Sequence, residues 1–307
     1  MRIDIHNVGH GHCSVITCPN GAKIMLDCGY QADPGWFPSI TYGGQRVAML
    51  AFTNLDEDHV EDLPYIWKDV PLGAVFSNPT VTAGALTTMK RAGGMGQGVS
   101  AAHAILGRFG AGVIGMRPDL GEVYAWAYYN RYGVDFTDTN NLSLAIIVRY
   151  RGVAVLFAGD LETAGWRTLL RNNPYFAYEL ASVRVMVASH HGRANGQCDE
   201  LFRLMRPDVV VFSDDAKQHE SQETDAWYRR RVSGIPDHQN PRPLGGYGRR
   251  HVLTTRRDGT LTMQVDDTGR YFITPERHSI VARLPQWPTP LSNLGFPAPT
   301  PLWAGLT

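Results

Sequence analysis

Asp56-Glu57-Asp58-His59 sets three carboxylates beside an imidazole within four residues. Charges this close repel unless a cation lies among them or water solvates the turn. Asp160 and the pair His190-His191 follow further along, each beside a glycine at the end of an apolar run. Aspartate and histidine are side chains able to hold a divalent ion. The Val8-Gly9-His10-Gly11-His12 turn adds two histidines that either contact a ligand or sit as surface turn residues. Asp27, closing an apolar run before Cys28-Gly29, is a loop cap or a support for a neighbouring site.

The elements that must carry these side chains are legible as short apolar runs. Residues 2–7, 13–18 and 22–26 read as three strands, with Pro19-Asn20-Gly21 as a turn. The strand 47–52 leads into the acidic cluster, a helix covers 60–67, and 74–77 is another strand. Residues 82–112 predict two helices joined at Gly93-Gly94-Met95-Gly96, a lid or wall over the site carrying Lys90, Arg91, His103 and Arg108. Tyr124, Trp126 and Tyr128 alternate as in a strand, or offer a stacking surface for bases or sugars. Strands at 144–150, 153–158, 183–188 and 208–212 alternate with helices at 162–171 and 198–205, and strands at 251–256 and 260–266 close the domain. Strands that repeatedly deliver Asp or His at their C-terminal ends build a site along one sheet edge. Two sheets with helices outside them are expected.

A chain of 307 residues with 43% apolar content can bury a large core, as one large α/β domain or two smaller ones. Lysine plus arginine equals aspartate plus glutamate, 29 each, so bulk charge gives no drive toward nucleic acid or anionic membrane. No apolar run reaches the length of a membrane span, and the first residues read as a strand rather than a leader, so a soluble, cytoplasmic protein without a membrane partner is expected. Cys13, Cys18, Cys28 and Cys198 lack metal-binding spacing and read as reduced core residues.

Asn7 to His12, Leu26-Asp27-Cys28-Gly29, Asn54 to His59, Asn140-Asn141-Leu142-Ser143, Ala158-Gly159-Asp160 and Ser189-His190-His191-Gly192 stand in an order that resembles the metallo-β-lactamase fold superfamily. The nearest likeness is to the β-lactamase-like domain of ComEC-type DNA-uptake proteins, over roughly residues 1 to 265. The resemblance implies an αββα sandwich, two mixed sheets flanked by helices, with one or two divalent ions at an edge. It implies a hydrolase domain over 1–276, leaving 277–307 as a Pro-rich tail. This chain departs from the family's His-x-His-x-Asp-His pattern by placing Asn54 and Asp56 where the leading histidines stand, and Glu61-Asp62 where Gly-Gly usually follows. By resemblance Asp56, Asp58, His59, Asp160 and one of His190 and His191, taken as His190, are ligands. The oxygen-rich set shifts preference from Zn toward Mn, with Mg as a third option. Asp27 and Asn54 would support the ligands from behind.

The expected mechanism follows. The ion lowers the pKa of a bound water and polarises a phosphoryl or carbonyl oxygen. Asp56 or Asp58 orients that water, and the second histidine, His191, serves as general acid or oxyanion contact. His219 occupies roughly the place where relatives carry a leaving-group histidine, and Lys217 and Arg193 are candidate phosphate contacts. Arginines gather at 229–231, 242, 249–250 and 256–257, and residues 241–250 read as a flexible basic loop able to track a nucleotide backbone. The leading reading is a phosphodiesterase or nuclease acting on nucleic acid or a nucleotide. The competing readings are a carboxylic ester or lactone hydrolase and a binding module with a degenerate site.

Overall fold

The computed structural model describes residues 1–33, 35–215, 223–241 and 247–276, without the side chains of 238–241. The first half runs β1 (Arg2–Ile5), β2 (Ser14–Thr17), β3 (Lys23–Leu26), α1 (Pro38–Thr41), β4 (Met49–Ala51), α2 (Glu57–Val60), α3 (Leu63–Asp69), β5 (Ala74–Phe76), α4 (Ala83–Met89), α5 (Gln97–Phe109) and β6 (Val113–Gly115). The second half runs β7 (Tyr124–Tyr128), β8 (Ala145–Tyr150), β9 (Val153–Phe157), α6 (Thr163–Asn172), α7 (Pro174–Glu179), β10 (Val183–Val187), α8 (Asp199–Leu204) and β11 (Val209–Phe212). It closes with α9 (Asp225–Arg229), β12 (Ile235–Pro241), β13 (Tyr247–Arg250), β14 (Val252–Thr254), α10 (Thr255–Asp258), β15 (Leu261–Val265) and β16 (Tyr271–Pro275).

Two large mixed sheets result. One has eight strands in the order β16-β15-β1-β2-β3-β4-β5-β6, the other six in the order β14-β11-β10-β9-β8-β7. The period-2 alternation of a pleated strand decides which core each side chain joins. In β9, Val153, Val155 and Phe157 face the first sheet's Ile3, Ile24 and Leu26 across the central core, while Ala154 and Leu156 face α6 and α8 through Trp166, Leu169 and Leu201. In β3, Met25 points the other way, into a third core with Leu63 of α3 and Val99 and Ile105 of α5. Helix α5 buries Val99, Ala102, Ile105 and Leu106, the spacing of one helical face. The layers are therefore helix, sheet, sheet, helix. Strands β9, β10, β11 and β14 run parallel, and β9 and β11, buried on both faces, are continuous apolar runs of Val, Ala, Leu and Phe.

Three local expectations change. The helix read over 60–67 is two, because Pro64, with no N–H to give, sits in the first turn of α3 and opens a new helix there. The strand read over 251–256 ends at Thr254, whose hydroxyl caps α10 by accepting from the Arg257 N–H at 3.3 Å. The stretch read as a flexible loop over 241–250 is in its described part strand, β13 pairing with β12 through Ile235↔Arg250 and Pro236↔Arg249. Residues 216–222 and 242–246, and with them Lys217, His219 and Arg242, lie outside the described residues, as does the Pro-rich stretch 277–307. All four cysteines are buried and unpaired, and no described helix is long and apolar enough to cross a membrane.

Candidate metal centre

The C-terminal ends of β1, β3, β4, β9, β10 and β11 open toward the same rim of the sandwich, where the two sheets meet. β3 ends at Asp27, β4 runs through Thr53 into the short α2 that bears Asp58 and His59, β9 runs into Asp160, and β10 into the turn Ser189–Gly192. The first sheet thus delivers Asp58 and His59 and the second delivers Asp160 and His191. One ligand-capable atom from each of these four lies within 4.8 Å of the others. His59 Nε2 is 3.2 Å from Asp160 Oδ1, while His191 Nε2 is 3.2 Å from Asp58 Oδ2 and 3.6 Å from Asp160 Oδ1.

Distance alone would make these ion pairs, but their alignment does not. His59 Nε2, His191 Nε2 and Asp160 Oδ1 are buried and none has an aligned hydrogen-bond partner among the described residues. Leaving one such atom unsatisfied costs roughly 1–3 kcal/mol, so three together call for a common partner. A divalent cation fits this donor set of two imidazoles and two carboxylates. Each imidazole is also held from behind, as metal-binding histidines are. His59 Nδ1 donates to Asp27 Oδ2 at 2.8 Å and His191 Nδ1 donates to the Ser213 carbonyl at 2.8 Å, which leaves both Nε2 atoms facing the cluster.

Asp27 is fully buried and saturated. It accepts from the Thr53 N–H at 2.6 Å, the Thr53 hydroxyl, His59 and, at 2.9 Å, His12 Nδ1. His12 in turn accepts from Ser14 Oγ at 2.8 Å, so it stands behind the ligands and does not join them. Gly11 makes room for this arrangement, since a Cβ there would lie 2.3 Å from the Asp58 carbonyl oxygen.

The electrostatics of the ion-free cluster follow from its contacts. Burial opposes charge on His59, but the carboxylates of Asp160, Asp27 and Asp58 outweigh it and hold its pKa well above the ordinary value. His191 is raised too, against burial, by Asp160 and Asp58. Burial pushes the Asp58 and Asp160 carboxyls up, and His59 and His191 more than reverse this, so both lie below the usual range. His190, by contrast, is lowered, burial being the largest cause.

Two residues placed among the ligands from sequence stand apart. His190 and His191 both adopt left-handed backbone (φ 50° and 55°), costing roughly 1–3 kcal/mol each. That turn sends the two rings to different places. His191 enters the cluster, whereas His190 Nδ1 lies 3.9 Å from Glu162 Oε1 and its Nε2 lies 3.4 Å from Arg193 Nη1. Asp56 forms an ion pair with Lys90, from the turn after α4, so its charge is already met. Asn54 is buried, accepts from the Asp56 N–H at 2.8 Å and reaches Asn140 at 3.4 Å. His10 is the residue the sequence left open: its ring packs on His191 at 4.3 Å, with Nε2 3.6 Å from Asp58 Oδ2. The paired glycines around it were the available signal.

No protein-family model matches the sequence, and no curated protein is similar to it in sequence. Among solved structures the chain is similar to a mutant form of the CmlA beta-hydroxylase, at TM-score 0.47 and 16% identity over 85% of this chain and 53% of that one. The chain thus spans about half the length of the hydroxylase. It is similar to the metallo-beta-lactamase fold protein YhfI from Bacillus subtilis, at TM-score 0.45 and 8% identity over 85% and 99% of the two chains. It is also similar to a diphosphatase from the PhnP family, at TM-score 0.41 and 10% identity over 87% and 98%.

Proposed function

We propose that the protein is a metal-dependent hydrolase of phosphodiesters, acting on nucleic acid or a nucleotide and akin to the soluble domain of ComEC-type proteins. The observation that carries the reading is the set of three buried, unpartnered atoms, His59 Nε2, His191 Nε2 and Asp160 Oδ1, turned on one another where the sheets meet. Asp58, His59, Asp160 and His191 would hold the ion, of which Mn and Zn are the candidates with Mg third. Bound there, a divalent ion supplies Lewis acidity and an acidified water.

The chain's own residues do the rest. Asp27 and the Ser213 carbonyl fix the tautomers of His59 and His191, so that the ligand nitrogens are unprotonated once the ion is in place. His10, on the rim against Asp58, is the group placed to exchange a proton with a leaving oxygen, in the place first given to His191. Asp56, committed to Lys90, favours one ion over two, and Arg193 at the rim favours an anionic substrate over a neutral ester.

Elemental analysis and turnover of bis-p-nitrophenyl phosphate with added Mn²⁺, Mg²⁺ or Zn²⁺ test the reading. Wild type should hold ion and turn over, and Asp160→Ala should lose both. A protein that takes up no ion under any supplementation would make the binding-module reading the correct one, and one that binds ion yet cleaves only esters or lactones would move the substrate class.

A further inference from the structure

We infer that His10, Arg193 and His190 form a subsite for a single oxyanion, the phosphate of the substrate, immediately beside the metal cluster. The inference rests on the reading of the centre as one that acts on phosphoryl esters, and it concerns residues that supply no ligand atom to the cluster. Arg193 is half-buried, with Nη1 3.4 Å from His190 Nε2 and Nη2 3.4 Å from His10 Nε2. Its Nε is buried and meets no acceptor among the described residues. A guanidinium carries five N–H donors and no acceptor, and here its recorded polar partners are two imidazole nitrogens at the outer limit of hydrogen bonding.

What makes this unusual is the neighbourhood. Glu162 lies across the His190 ring and Asp58 approaches the same His10 nitrogen, yet neither pairs with Arg193 among the described residues. Glu162 is taken up by Asn140 Nδ2 at 3.3 Å and Asn195 Nδ2 at 2.8 Å, and Asp58 faces His191 and His10. Among the described residues no carboxylate pairs with this arginine at the mouth of the site. Arginine presents a planar fork that matches a phosphate bidentately. An imidazole on each flank can turn an N–H toward the same anion by changing tautomer.

Position ties the subsite to the reaction centre. His10 Nε2 lies 3.6 Å from Asp58 Oδ2 and 3.4 Å from Arg193 Nη2, so the guanidinium and the cluster's carboxylate converge on one ring nitrogen. One phosphate can present one oxygen to each. On the far side of His190 stands the Glu162 carboxylate, with Oε1 3.9 Å from His190 Nδ1. A second phosphate in line would meet that charge, so the subsite suits one phosphate group and disfavours a polyphosphate. The two walls come from different sheets, His10 from the turn after β1 and His190 and Arg193 from the turn after β10. The Ser213 hydroxyl, donating to the Gly11 carbonyl at 2.8 Å, ties the first turn to the second sheet.

Calorimetric titration of inorganic phosphate into the zinc-loaded full chain tests this, with zinc content and melting temperature measured on each variant. Arg193→Gln should weaken phosphate binding at least about tenfold, the scale of a charge-assisted hydrogen bond, with zinc content unchanged. Arg193→Lys should recover part of the loss, because it keeps the charge without the fork. Phosphate affinity within twofold of wild type in a folded, zinc-loaded Arg193→Gln would overturn the subsite, as would equal weakening by Arg193→Lys and Arg193→Gln. Bis-p-nitrophenyl phosphate keeps the two readings apart. Arg193-dependent phosphate binding without turnover keeps the subsite and removes the phosphodiesterase reading. Turnover with KM unchanged in Arg193→Gln does the reverse.

Discussion

His190 and His191 share a peptide bond and differ in what their rings meet, and that difference is testable. His191→Ala should lower zinc affinity by more than the 10–100-fold typical of outer partners, whereas His190→Ala should leave zinc content intact, both read by competition with a chromophoric chelator. Equal losses in the two variants would contradict the geometry. The same cluster sets a pH signature in the ion-free protein. His59 and His191 are raised above the unfolded value of about 6.5. Their stabilising contribution is complete below that pH and is lost as pH rises through the folded pKa. Asp58 and Asp160 are lowered, so theirs is present above about 3.9 and lost as pH falls through the folded values. The chelated protein should therefore melt at progressively lower temperature as pH climbs above 7. The zinc-loaded protein, its imidazoles already deprotonated, should not, and matching profiles would count against the ligand set. Zinc binding at pH 7 should correspondingly release protons. From sequence, Asp58, His59 and Asp160 stand out because each follows an apolar run, but two adjacent histidines are distinguished only by φ and ψ. The Asp56–Lys90 pair spans 34 positions and has no local signal.

Helix α5 is tied to the ligand-bearing α2 by a carboxylate and a missing side chain. Glu57, one residue before Asp58, accepts from the N–H groups of Gly98 at 2.7 Å and Val99 at 3.1 Å, filling donors that the first turn of α5 leaves open. A Cβ on Gly98 would lie 2.2 Å from the Val60 carbonyl oxygen. Alanine normally gains about 1 kcal/mol over glycine within a helix. Here a rigid backbone contact opposes it at a cost of roughly 1–3 kcal/mol or more. Gly98→Ala should thus lower the urea midpoint and weaken zinc binding through α2, and a stabilised Gly98→Ala would show that α5 is free to shift. The helical pair over 82–112 was legible from its composition and its Gly93–Gly96 joint. Its anchoring was not, because Glu57 reads in sequence as one more acid of the cluster rather than a cap for a helix forty residues on. Strands of β-branched residues such as β8 to β11 announce themselves, while β6 and β16 do not. β6 has three residues and ends on glycine, and β16 alternates apolar with partly exposed positions at the sheet's margin.

At the scale of the molecule, two sheets bring their strand ends to one rim, and the chain visits that rim repeatedly before it is finished. The layered architecture was readable because alternation in β3 and β9 assigns each side chain to a core. The pairing of first strand with fifteenth was not, because nothing local links Arg2 to Gln264. That pairing bears on how the protein is made. Strand β1 has β2 on one side and β15 on the other, through Ile3↔Met263 and Ile5↔Leu261. On the ribosome, β1 therefore presents an open edge until residues some 260 positions later emerge, and an open edge invites pairing with other chains. Strand β15 is what covers that edge in the folded protein, so the nascent chain is expected to stay open to such pairing until β15 is made. Ribosome-stalled chains ending before Leu261 should be cut by protease near β1, and chains long enough to free β16 from the exit tunnel should resist. Equal protection at both lengths would mean that β1 finds its place without them.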